Sequence, residues 1–163
     1  MSRNMYFSSV LGCNLGMFYK RRDYTRVVNG RNPIVAHEYL GDSVEGKTVF
    51  IADDIIASGE SMLEVASNLK ARGAGRIIAN ATFPLFTSGL GKFDQAVAEG
   101  KLDYVVGTNL TYRQPELLTR DWYVDVDVSK YAAYFVVALN HDMSVSSIID
   151  PIKKIEALLA KRK

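Results

Sequence analysis

The stretch Val49-Phe50-Ile51-Ala52-Asp53-Asp54-Ile55-Ile56-Ala57-Ser58-Gly59-Glu60-Ser61 decides the fold and points to the chemistry. An apolar strand over Thr48–Asp53, expected to be buried and central in its sheet, ends in two adjacent carboxylates and turns through Ser58, Gly59 and Ser61 into a helix expected to begin near Met62. Open α/β sheets bind their ligands outside the carboxyl ends of buried parallel strands. A glycine-containing turn into a helix N-terminus offers backbone N–H groups and a positive dipole end to an anion, most often phosphate. Carboxylates beside that cradle would repel the phosphate, so they are expected to face sugar hydroxyls or a metal ion. The implied ligand is a phosphorylated sugar with a divalent cation close by. Taken alone, the same residues also describe a solvated loop after a strand.

Working outward, Ser61 and Glu64 suggest a capping box, Met62, Val65, Ala66 and Leu69 an apolar face, and Gly73 the end of that helix. Downstream, Arg76–Thr82 reads as a strand, 89–99 as a helix, Tyr104–Thr108 as a strand, and Trp122–Val126 as another. Ser129 then caps a helix carrying Tyr131, Phe135, Ala138 and Leu139. Asp150-Pro151 starts a last amphipathic helix with Ile152, Ile155, Leu158 and Leu159 inward. Upstream, residues near 2–12 read as a helix, Leu15–Tyr19 as a short strand and Ile34–Leu40 as a second. Between these strands the pattern breaks into a long, polar, cationic loop over 20–32, closed by Pro33. Strands alternating with helices predict a three-layer α/β/α fold with a mainly parallel sheet covered on both faces, organised as a single domain over 1–163.

Composition narrows the function classes. A net charge of +2, with no basic stripe and interleaved aromatics, argues against nucleic acid. No apolar run is long enough to span a membrane, and the N-terminus does not read as a signal peptide, so the expectation is a cytoplasmic protein. The one cysteine, Cys13, lies in an apolar stretch and reads as a small core residue. His37 falls mid-strand and His141 at a helix end, neither with a second ligand at metal spacing, so no protein metal ligand is assigned. Phe83 and Phe86 read as core, and Trp122 and Tyr123 as packed.

Asp53-Asp54-Ile55-Ile56-Ala57-Ser58-Gly59-Glu60-Ser61 resembles the phosphoribosyl diphosphate (PRPP) motif of type I phosphoribosyltransferases and ribose-phosphate pyrophosphokinases. Met17-Phe18-Tyr19-Lys20-Arg21-Arg22-Asp23 resembles the pyrophosphokinase strand that leads into a Lys-Arg-Arg catalytic loop. Ser144-Val145-Ser146-Ser147-Ile148-Ile149 resembles the segment with which those chains usually end. Ala81–Thr87 and Thr108-Asn109 sit where that family has its next strand ends.

The resemblance implies a ribose-phosphate diphosphokinase, which transfers the diphosphate of ATP to ribose 5-phosphate to give PRPP and AMP. On it, Asp53 and Asp54 take the ribose hydroxyls and help place Mg2+, while Ser58, Gly59, Glu60 and Ser61 form the 5-phosphate loop. Lys20 and Arg22 then neutralise charge in the transition state; by themselves, Lys20-Arg21-Arg22 read first as a solvated charged turn. The resemblance covers the C-terminal half of the family's chain. It therefore implies an N-terminal half carrying most of the ATP site, and a homo-oligomer.

Two positions depart from the motif. Ala57 replaces an acid, and Glu60 stands where a small residue is usual. A phosphoribosyltransferase that consumes PRPP, and a non-catalytic regulatory subunit of a synthetase, are the alternatives.

Overall fold

A computed structural model describes residues 3–22 and 34–161. Its principal sheet comes from the order the sequence implies: β3 (Thr48–Ile56), α2 (Glu60–Ala71), β4 (Arg76–Pro84), α3 (Gly91–Ala98), β5 (Tyr104–Thr108) and β6 (Tyr123–Val126). The four strands lie side by side in the order β3-β4-β5-β6, all parallel. Ahead of them come α1 (Arg3–Leu11) and an antiparallel ribbon of β1 (Met17–Arg22) and β2 (Ile34–Leu40). Behind them lie α4 (Ser129–Asn140), α5 (Ser146–Ile149) and α6 (Ile152–Ala160).

The alternation along β4 explains how the helices are held. Ile77, Ala79 and Ala81 are wholly buried on one face. There they share a core with Met62, Ala66 and Leu69 of α2, spaced to lie on one helix stripe, and with Phe93 and Ala96 of α3. The alanines are small enough for helices to approach the sheet closely. Gly73, at φ +83°, ends α2 as expected: its N–H bonds Lys70 O at 2.9 Å, and Ala74 N bonds Leu69 O at 3.1 Å. Phe86, Phe93, Trp122 and Tyr123 form an aromatic cluster beside this core, with Phe86 and Phe93 edge to face at 4.8 Å. Asp94 of α3 accepts from Arg120 Nε (2.9 Å) and Nη2 (3.0 Å) and from Trp122 Nε1 (2.8 Å). That bidentate pair anchors the approach to β6 onto α3.

Several expectations need correction. Thr48–Asp53 does not form a buried central strand: among the described residues β3 is the outer strand, and Phe50 is 45% exposed against Phe7 of α1. The strand before it, β2, pairs with β1 instead. The expected loop over 20–32 begins as strand, since β1 continues to Arg22 with a register shift between Arg21 and Arg22; residues 23–33 lie outside the described residues. Cys13 is exposed, in the turn after α1, because the short helix leaves that turn at the surface. Phe83 is exposed as well, at the end of β4, whereas Phe86 is core. Ile152, Leu158 and Leu159 of α6 are not turned inward; Leu158 is 66% exposed, and Lys154 of α6 lies over the Tyr131 ring of α4.

Candidate functional site: a phosphate-type loop at the carboxyl edge of the sheet

The carboxyl end of β3 delivers its two acids at the sheet edge, with Asp53 in register with Ala81 and Ile55 with Phe83. Asp53 Oδ1 accepts from the Asp54 backbone N–H at 2.7 Å, a local side-chain-to-backbone bond within the strand. Ile56, 1% exposed, then drives the chain back into the core. Its carbonyl accepts from Leu85 N (2.9 Å) and Phe86 N (3.1 Å), and the Ala57 carbonyl accepts from Thr87 N (3.0 Å). The loop is thus tied along its backbone to the segment following β4.

Gly59 makes the turn. Its φ of +78° lies in the left-handed region, and a Cβ there would fall 2.3 Å from Cε2 of Phe93. The expected capping box is absent: Gly59 is the cap residue, with no side-chain capping bond from Ser61. Ser58 Oγ instead accepts from Glu60 N at 3.4 Å. The first intrahelical bond is Leu63 N to Gly59 O, so the Ser61 and Met62 N–H groups at the start of α2 precede the helical ladder, at the positive end of the helix dipole. Asp53 and residues 55–62 line an open cleft of about 160 Å³.

The structure therefore brings Asp53, Ser58, Gly59, Glu60 and Ser61 to one cleft, with Asp54 beside them on the strand. Lys20 and Arg22 lie on the β1–β2 ribbon, where along the backbone Lys20 pairs with His37 and Arg22 with Ile34. Among the described residues no group of three or more His, Cys, Asp or Glu is arranged to hold a metal. The two carboxylates at the strand end are nonetheless the hard oxygen donors that Mg2+ takes, and Mg2+ commonly completes its shell with water and substrate oxygens.

Sequence reading missed two residues of the site. Phe93 is the ring beneath Gly59, and Lys92 Nζ lies 2.6 Å from Glu60 Oε1. The bond to Lys92 holds the Glu60 carboxyl below its ordinary range. Neither residue carries a local signal, since both act from α3, far along the chain.

A second network closes the carboxyl ends of β5 and β6. Asn109 Nδ2 donates to Asp127 Oδ1 (2.6 Å) and Ser129 Oγ (2.9 Å), and Val128 N donates to Asn109 Oδ1 (2.9 Å). Ser129 is thus not the expected cap; the Asp127 carboxylate takes its N–H at 2.8 Å. The Ser129 hydroxyl first, then its N–H and the Asn109 amide, lower the Asp127 pKa from 3.8. A lowered folded-state value means the contribution is complete above pH 3.8 and disappears as pH falls through the folded-state value. Amide exchange at Val128 and Ser129 should accordingly speed up on acidification below that point, and Asp127→Asn should remove much of the dependence. Exchange that is flat with pH once the intrinsic rate is divided out would contradict it.

A loop of this kind, at the carboxyl edge of a parallel sheet and followed by a helix N-terminus, stands where α/β proteins commonly bind phosphorylated ligands. The chain matches the phosphoribosyl transferase domain family over residues 2–107, and it belongs to that family. It is 34% identical over 109 residues to the ribose-phosphate pyrophosphokinase of Wolinella succinogenes, covering 67% of this chain and 32% of that protein. The ribose-phosphate pyrophosphokinases of Shewanella oneidensis and Helicobacter hepaticus match 83% and 91% of the chain at 29% and 28% identity, over 40% and 44% of their own lengths. The crystal structure of phosphoribosylpyrophosphate synthetase from Mycobacterium smegmatis superposes with a TM-score of 0.66 at 20% identity, over 85% of this chain and 41% of that one, a likeness of fold. The chain spans less than half the length of each of these relatives. Among the described residues no helix is long and apolar enough to cross a membrane.

Proposed function

We propose that this chain is the ribose-5-phosphate-binding part of a ribose-phosphate diphosphokinase, an enzyme that joins the diphosphate of ATP to the 1-hydroxyl of ribose 5-phosphate and releases AMP. The observation that carries this reading is the joint placement of the Asp53–Asp54 pair and the Ser58–Ser61 turn at one sheet edge, in a chain whose relatives are pyrophosphokinases. Asp53 and Asp54 accept hydrogen bonds from the ribose 2- and 3-hydroxyls and thereby orient the sugar. Ser58 and Ser61 hydroxyls and the N–H groups opening α2 hold the 5-phosphate. The Asp53 and Asp54 carboxylates would also hold Mg2+, which would supply neutralising charge to the transferring diphosphate. Lys20 and Arg22, carried by the β1–β2 ribbon, add cationic stabilisation, since such transfers depend mainly on positioning and charge. The ATP-binding part and the family's homo-oligomeric assembly belong to this proposal as well.

Calorimetric titration tests the sugar site. Ribose 5-phosphate with Mg2+ should bind, and ribose should bind at least tenfold more weakly, because it lacks the phosphate contacts (about 1.4 kcal/mol or more). Asp53→Asn and Asp54→Asn should weaken ribose 5-phosphate while leaving inorganic phosphate binding nearly unchanged. Equal affinity for ribose and ribose 5-phosphate would contradict the assignment. Ala57, exposed in the turn where the resemblance implies an acid, favours a second reading in which the chain is a non-catalytic regulatory subunit. PRPP formation by the chain joined with its ATP-binding partner separates the two readings.

A further inference from the structure

The proposed phosphate loop carries an acid at its most anion-sensitive point. Glu60 is the first residue of α2 and lies between Ser58 and Ser61. A carboxylate there and a bound phosphate would share one helix N-terminus, and their like charges would repel. Lys92 stands against this: its Nζ makes a 2.6 Å ion pair with Glu60 Oε1. The neighbouring residue of α3, Phe93, is the ring packed on Gly59. Consecutive residues of α3 thus hold consecutive residues of the loop, the ring fixing the glycine backbone and the cation fixing the acid.

We propose that Lys92 is a positioning residue for the phosphate loop, drawing the Glu60 carboxylate toward α3 and cancelling its charge so that a sugar phosphate can bind at Ser58–Ser61. This rests on the ribose 5-phosphate reading of that loop. The pair is exposed, with Lys92 and Glu60 side chains 50% and 68% accessible, so its contribution to fold stability is small. Its effect falls on the ligand instead. Any other residue near an anion site is usually judged by what it touches; Lys92 acts through the acid that it holds.

A four-protein cycle tests this, using the full chain and ribose 5-phosphate with Mg2+ at low salt, and inorganic phosphate as a second probe. Lys92→Ala should weaken both ligands by about tenfold, with an unchanged melting temperature and a smaller loss at high salt. Lys92→Arg should bind as the parent does. Glu60→Gln should bind a few-fold more tightly, and Lys92→Ala combined with Glu60→Gln should recover the parent's affinity or better. Unchanged affinity in Lys92→Ala would overturn the proposal. So would a double variant as weak as Lys92→Ala, which would place Lys92 directly on the phosphate. Failure of the parent protein to bind ribose 5-phosphate would remove the site reading itself, an outcome distinct from either.

Discussion

Phe93→Ala is expected to destabilise the chain by about 3–5 kcal/mol, the usual loss for truncating a fully buried aromatic ring. Phe93 is 0% exposed, edge to face with Phe86 at 4.8 Å and stacked with Trp122 at 5.9 Å. That loss is a large fraction of the roughly 5–15 kcal/mol that holds an ordinary domain together. Urea unfolding should show a lower midpoint with an unchanged slope. Ribose 5-phosphate affinity should fall with it, because the ring also supports the Gly59 backbone. A midpoint within experimental error of the parent's would show that α3 does not buttress the loop.

Gly59→Val attacks the same contact from the other side. A β-branched residue at φ +78° costs about 1–3 kcal/mol in backbone strain, and its Cβ, 2.3 Å from the Phe93 ring, adds about 1–3 kcal/mol of overpacking. The expected result is a destabilised protein that no longer takes ribose 5-phosphate. Gly59→Ala provides the finer test. Introduced into Phe93→Ala, it should cost less than in the parent, since the ring it collides with is gone and the backbone strain alone remains. Strictly additive losses would mean that the collision is relieved by movement elsewhere.

The strand–turn–helix around Asp53 was legible because its determinants are local. An apolar run, two acids and a glycine turn lie within a dozen residues, and the Met62–Leu69 stripe that follows fixes the face of α2. What the chain did not disclose depends on partners far along it. Val49 to Ile51 reads as a buried central strand because apolar residues signal burial, yet neighbours in a sheet are chosen non-locally, and among the described residues β3 lies at the edge. Glu60 reads from the sequence only as a departure from the motif, because Lys92, its partner, is 32 residues away. The inward stripe expected for α6 failed for the same reason, since among the described residues Ile152, Leu158 and Leu159 stay exposed. Lys20 and Arg22 were placed in a loop on the strength of their charge, whereas pairing with β2 holds them in a strand.

The most direct test of the central claim is an amide-resolved titration of the chain with ribose 5-phosphate and Mg2+. The account predicts that the backbone N–H signals of Ser58, Gly59, Glu60, Ser61 and Met62 shift and become protected from exchange, and that ribose at the same concentration leaves them in place. Unchanged signals at millimolar ribose 5-phosphate, or shifts confined to residues away from β3 and the start of α2, would contradict it.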